Sequence, residues 1–151
     1  MLGSLAKWLR ILGIDTFYAS SQITDDELLT IAQHEGRILL TRDKELLIRC
    51  QKEKLQSIKI ENTDLDEQLK ELMNKIEFNK KLILSRCTRC NELLASIHQN
   101  DVRGKVPKKV FERNNKFWYC SKCQKYYWKG SHYDSMIEKI NTMKKSKLTT
   151  F

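Results

Sequence analysis

Four cysteines of this 151-residue chain fall into two matched pairs, Cys87-Thr88-Arg89-Cys90 and Cys120-Ser121-Lys122-Cys123. A C-x-x-C turn lets two thiolates converge on one ion, and a second such turn completes a tetrahedral shell. The 29 residues between Cys90 and Cys120 exceed the tightest finger spacing and suit a ribbon with an inserted loop. All four ligands are sulfur, so no coordination position stays open for chemistry. The expected occupant is a structural Zn²⁺ that holds a small domain together. Two disulfides are the other use of four cysteines. No stretch reads as a secretory leader, and a reducing compartment keeps thiols free, so zinc and a cytoplasmic setting are the expectation. The fifth cysteine, Cys50, has apolar neighbours at helical spacing and reads as a small core residue.

A second chemistry rests on carboxylates. Asp25 and Asp26 open a helix, Asp43 ends the run Leu39-Leu40-Thr41-Arg42-Asp43, and Asp64 follows Ile60-Glu61-Asn62-Thr63. Ligands of an open parallel sheet bind at the carboxyl ends of its strands. Several carboxylates gathered there would form a hard-oxygen site for Mg²⁺ or Mn²⁺. Such an ion can activate water and neutralise charge on a phosphodiester. Each aspartate taken singly also reads as a helix cap. The chain has no Walker-type glycine loop, no GxSxG elbow and no HExxH pair, and His34, His98 and His132 stand in no catalytic arrangement.

The elements that must position these groups follow from periodicity. Apolar residues at 2, 5, 6, 9 and 12 make a helix with a core-facing stripe, which Gly13 ends. The segment 14–18 reads as a short strand. Thr24 with Glu27 three residues later is a capping box, and the helix it opens ends at Gly36. Residues 37–41 form a continuous apolar run, expected to be a strand buried on both faces. A helix over 43–53, a strand over 57–61 and a helix over 64–76 complete an α/β pattern with a mostly parallel sheet. Beyond 79 the pattern turns short and irregular, with ribbon strands expected at 92–98, 116–119 and 125–128 and a last helix from 132 to about 144. The expected organisation is an α/β domain over 1–79, a basic zinc ribbon with a C-terminal helix over 80–143, and a flexible tail over 144–151.

Charge separates the two halves. Residues 1–79 carry a net charge of −3, and residues 80–151 carry +12. That asymmetry points to a polyanionic partner, of which RNA or DNA is the usual one. Candidate phosphate contacts are Arg86, Arg89, Lys108, Lys109, Arg113, Lys116, Lys122, Lys125 and Lys129, with His132 able to stack or hydrogen-bond. Aromatic residues interleave with these lysines at Phe117, Trp118, Tyr119, Tyr126, Tyr127 and Trp128. Trp118, and Tyr127 or Trp128, are expected to be mostly buried as ribbon core. No run approaches the ~20 apolar residues of a membrane helix, so no membrane partner is expected.

Several segments together resemble the Mut-seven C-terminal RNase family, PIN-like nucleases fused to a zinc ribbon. They are Met1-Leu2-Gly3-Ser4-Leu5-Ala6-Lys7-Trp8-Leu9-Arg10, then Asp25-Asp26-Glu27-Leu28-Leu29, then Glu35-Gly36-Arg37-Ile38-Leu39-Leu40-Thr41-Arg42-Asp43. The ribbon adds Arg86-Cys87-Thr88-Arg89-Cys90-Asn91, Phe117-Trp118-Tyr119-Cys120 and Tyr127-Trp128-Lys129-Gly130-Ser131-His132. The resemblance implies a PIN-like α/β domain that cuts RNA with clustered acids and a divalent metal. Asp43 matches the T-R-D acid and Asp25 the acid of the preceding helix. Asp64 is a looser match, for which Asp26 or Glu45 could substitute. In the family a first strand and its catalytic aspartate precede the M-L-G segment; here either the start is misassigned or trimmed, or that carboxylate has been lost. The resemblance therefore implies a metal-dependent ribonuclease, or a non-catalytic RNA-binding protein, ribosome-associated through ribosomal RNA, that keeps the fold with an incomplete acidic set.

Overall fold

The structure, a computed structural model, describes residues 2–148. The chain clusters into two compact units, one made of 1–6 with 16–77 and the other of 7–15 with 78–151.

The first unit contains the start of α1 (Gly3–Ile11), then α2 (Asp25–Glu35), β1 (Leu39–Thr41), α3 (Lys44–Lys52), β2 (Ser57–Lys59) and α4 (Leu65–Met73). The capping box forms as read. The Glu27 amide donates to Thr24 Oγ1 at 3.3 Å, and the Thr24 amide donates to Glu27 Oε2 at 2.8 Å. Gly36 closes α2 in the left-handed conformation that glycine adopts without a Cβ penalty. β1 and β2 pair in parallel, with Leu39, Leu40 and Thr41 opposite Ser57, Ile58 and Lys59. Leu29, Ala32, Leu39, Leu46 and Cys50 form a buried cluster, with Leu28 and Leu55 packed against it. Cys50 is thus a core residue, and burial pushes its thiol pKa up.

Two expectations fail here. No strand forms over 14–18, where Phe17 and Tyr18 are exposed and no buried face holds the segment in a ladder. β1 is not buried on both faces, since Leu40 is half-buried and Ile38 beside it is exposed. A ladder of two short strands cannot cover both of its surfaces.

The second unit takes in the rest of α1, a 3₁₀ turn (Lys80–Leu82), β3 (Ala95–Ile97), α5 (Gln99–Val102), α6 (Lys108–Arg113), β4 (Phe117–Cys120), β5 (Lys125–Trp128) and α7 (Ser131–Leu148). β3, β4 and β5 make an antiparallel sheet in that order. Residues 7–15 join this unit for local reasons. Leu9 and Leu12 are buried, and the Leu84 amide donates to Ile11 O at 2.8 Å. Gly13 is forced, because a Cβ there would lie 2.2 Å from the Leu82 carbonyl oxygen. The loop between the knuckles is not plain loop but carries α5 and α6. Phe117, not Trp118 or Tyr127, is the fully buried ring; Trp118, Tyr127 and Trp128 are only half-buried. α7 runs on to Leu148, past the expected start of a flexible tail, and residues 149–151 of that tail lie outside the described residues.

Candidate metal centre

Each C-x-x-C pair sits on a tight turn. The first reverses the chain between Leu84 and Glu92, where the Asn91 amide donates to Cys87 O at 2.9 Å and the Cys87 amide to Glu92 O at 2.8 Å. The second is the β4–β5 hairpin tip, where the Cys123 amide donates to Cys120 Sγ at 3.4 Å. The residue after each pair, Asn91 and Gln124, takes a positive φ, of 73° and 54°. Two matched turns therefore aim their thiols inward.

The four Sγ atoms lie within 4.8 Å of one another. Four Zn–S bonds of about 2.3 Å place tetrahedral sulfurs about 3.8 Å apart, so this set fits the ion with a small contraction. Cys90 and Cys120 already approach to 3.4 Å. The four cysteines could hold a structural metal such as zinc, which would cross-link the first knuckle to β4 and its hairpin.

The surrounding shell was not readable from spacing. Tyr127 on β5 places its hydroxyl 3.1 Å from Cys87 Sγ, 3.2 Å from Thr88 Oγ1 and 3.2 Å from the Thr88 amide, which donates to it. Arg10, buried on α1, donates from Nη1 to both Thr88 O and Arg89 O at 3.0 Å. A buried guanidinium thus braces the first knuckle from 78 and 79 residues away. Arg86 donates to Asn91 O at 3.0 Å across the same turn, and its Nε is buried without a partner. Among the candidate phosphate contacts Arg86 is thus half-buried and tied to the knuckle.

Crowded sulfurs split their titrations. Burial acts to raise the Cys87 thiol, but the Tyr127 hydroxyl and the Cys90 and Arg89 amides outweigh it and bring the pKa down to about 6. Burial, then the bond to Cys87, pushes Tyr127 up to about 12. Burial also raises Cys90 and Cys120. At Cys123 a hydrogen bond with Cys90 acts downward, and burial with the Cys87 and Cys120 sulfurs outweighs it.

The acids are placed differently. Asp43 is the N-cap of α3, its Oδ1 accepting from the Glu45 and Leu46 amides at 2.8 and 3.2 Å. Asp64 caps α4 in the same way, accepting from the Asp66 and Glu67 amides at 3.1 Å. Asp25 is the first residue of α2 and is exposed, and Asp26 forms an ion pair with Arg49 of α3. Among the described residues, the four cysteines are the only group of three or more ligating side chains within reach of one ion. Asp25, Asp43 and Asp64 form no such group, and Asp43 and Asp64 each give one oxygen, Oδ1, to helix amides.

Of the candidate phosphate contacts, Arg89, Lys108, Lys109, Arg113, Lys116, Lys122, Lys125, Lys129 and His132 are exposed. Lys125 lies over the Tyr127 ring at 5.1 Å, and Lys129 over Trp118 at 5.7 Å and Tyr133 at 5.0 Å.

Small parallel and antiparallel sheets mixed with helices, and a cluster of four cysteines that could hold a metal, define a mixed α/β protein with a candidate metal centre. The sequence model of the Mut7-C RNAse domain matches residues 1–140, and the chain belongs to that family. Neither a curated protein nor a solved structure matches it. Among the described residues no helix is long and apolar enough to cross a membrane.

Proposed function

We propose that the chain is a metal-dependent ribonuclease, with a PIN-like α/β unit that carries the acids and a zinc ribbon that binds RNA. Family membership carries this reading, and the parallel ladder supports it. β1 and β2 point the same way, and Asp43 and Asp64 each follow one of them, at the carboxyl edge where α/β sheets bind ligands. Asp43 and Asp64, with Asp25 at the start of α2, would hold Mg²⁺ or Mn²⁺, which supplies charge neutralisation at a phosphodiester. The exposed cations of the +12 half would hold the RNA backbone.

A specific observation favours a second reading. Asp43 and Asp64 each give an oxygen to a helix N-terminus, and no three-carboxylate group forms among the described residues. That arrangement suits a non-catalytic RNA-binding protein, docked for instance on ribosomal RNA. Cleavage of labelled single-stranded RNA with Mn²⁺ or Mg²⁺, compared with the Asp43→Asn variant, separates the two. Metal-dependent cleavage lost in the variant supports the nuclease. Binding without cleavage in either protein supports the second reading.

A further inference from the structure

Side chains of the ribbon alternate between two faces, and the two faces are used differently. In the register of β3, β4 and β5, Ser96, Trp118 and Tyr127 share one face, together with Cys120 and Lys125. Its rings are engaged, since Tyr127 bonds to Cys87 and the ammonium groups of Lys125 and Lys129 sit over Tyr127 and Trp118. On the opposite face, Ile97, Phe117 and Trp128 form one end, where Phe117 is fully buried. Ala95, Tyr119 and Tyr126 form the other end.

That second end is built differently. Tyr119 and Tyr126 are half-buried and pack against each other as a tilted pair, with ring centroids 4.9 Å apart and planes inclined at 38°. Ala95 opposite Tyr119 is exposed and too small to cover the ring, and Leu93, two residues earlier, is 65% exposed. Among the described residues no cation sits over either tyrosine. The hairpin tip beside the pair carries the exposed Lys122, while Lys125 lies on the other face over Tyr127.

We infer that the Tyr119–Tyr126 pair is a stacking platform for an unpaired RNA base, with Lys122 contacting a flanking phosphate. The occupant follows from complementarity. An apolar protein segment would cover the rings but leave the Lys122 ammonium unmatched, whereas a polynucleotide offers a π-face and an anion every nucleotide. A duplex hides its base faces, so the favoured ligand class is single-stranded RNA. This inference rests on the RNA-binding reading above and narrows it.

The test uses the full zinc-loaded chain and an RNA oligomer carrying 2-aminopurine, beside a matched duplex. Binding to wild type should change the 2-aminopurine signal, and single strand should bind more tightly than duplex. Tyr126→Ala and Tyr119→Ala should each weaken single-strand binding about five- to a hundred-fold. Tyr126→Trp should retain binding, and the salt slope should stay unchanged because no charge is removed. If both alanine variants keep their zinc and bind like wild type while Lys122→Glu weakens binding, the platform is overturned and RNA binding stands. An unchanged 2-aminopurine signal on a tightly bound strand also overturns the platform. A wild-type chain that binds no RNA overturns both.

Discussion

At the scale of single residues, the second shell explains why four thiols can share one small volume. Tyr127 donates to or accepts from Cys87 while fixing the Thr88 backbone, so one hydroxyl orients a ligand and its turn together. Replacing Tyr127 with Phe removes those bonds but leaves the ring. Zinc affinity in a chelator competition should fall about ten- to a hundred-fold, as for other outer-shell partners; unchanged affinity would deny Tyr127 that role. Titration gives a second expectation. Cys87, at about 6, is a thiolate at pH 7.5, while Cys90, Cys120 and Cys123 are raised above their ordinary value near 9. Zinc binding at pH 7.5 should therefore release about three protons, not four, measurable by calorimetry in buffers of different ionisation enthalpy. In the metal-free chain the lowered Cys87 pKa adds stability above the unfolded value near 9, and loses it as the pH falls through 6. The three raised thiols act in the opposite sense, losing their contribution as the pH climbs past 9.

At the scale of elements, helix ends were legible and long-range packing was not. Capping box, left-handed glycine and C-x-x-C turn are all encoded within four residues, so Thr24 with Glu27, Gly36 and both knuckles could be read directly. The segment 14–18 has strand-like residues, but whether it pairs is decided by neighbours far away in sequence. The same holds for Arg10, whose two carbonyl partners on the first knuckle no local pattern announces. Ring burial failed likewise: six aromatics in two strands are equivalent by composition, and only the register shows that Phe117 faces inward. The acids were legible as residue types and as caps, while their distances from one another depend on packing. One element boundary offers a sharp test. Gly13 ends α1 at φ 82° with no room for a Cβ against Leu82. Gly13→Ala should destabilise the second unit by about 2 kcal/mol or more, read from denaturant unfolding. A loss under about 0.5 kcal/mol would mean that the contact yields easily.

At the scale of the whole molecule, the four cysteines and the positive charge both belong to one unit. Small ribbons have little apolar core, so the ion supplies much of their folding free energy. Stripping zinc should unfold 78–148 while the first unit keeps its structure. Because Leu9, Arg10 and Leu12 pack in the second unit, amides in 7–15 should lose hydrogen-exchange protection together with β4. Simultaneous loss in β1 and β2 would contradict the division into units. In the proposed function, acids at the carboxyl edge of β1 and β2 cut RNA. Its most direct test is cleavage of labelled single-stranded RNA with Mn²⁺ or Mg²⁺, by the chain and by its Asp43→Asn variant, with RNA binding followed in parallel. The nuclease account predicts metal-dependent products from the former and at least a hundred-fold less from the variant, with binding retained; equal cleavage by both, or none by either while RNA stays bound, would contradict it.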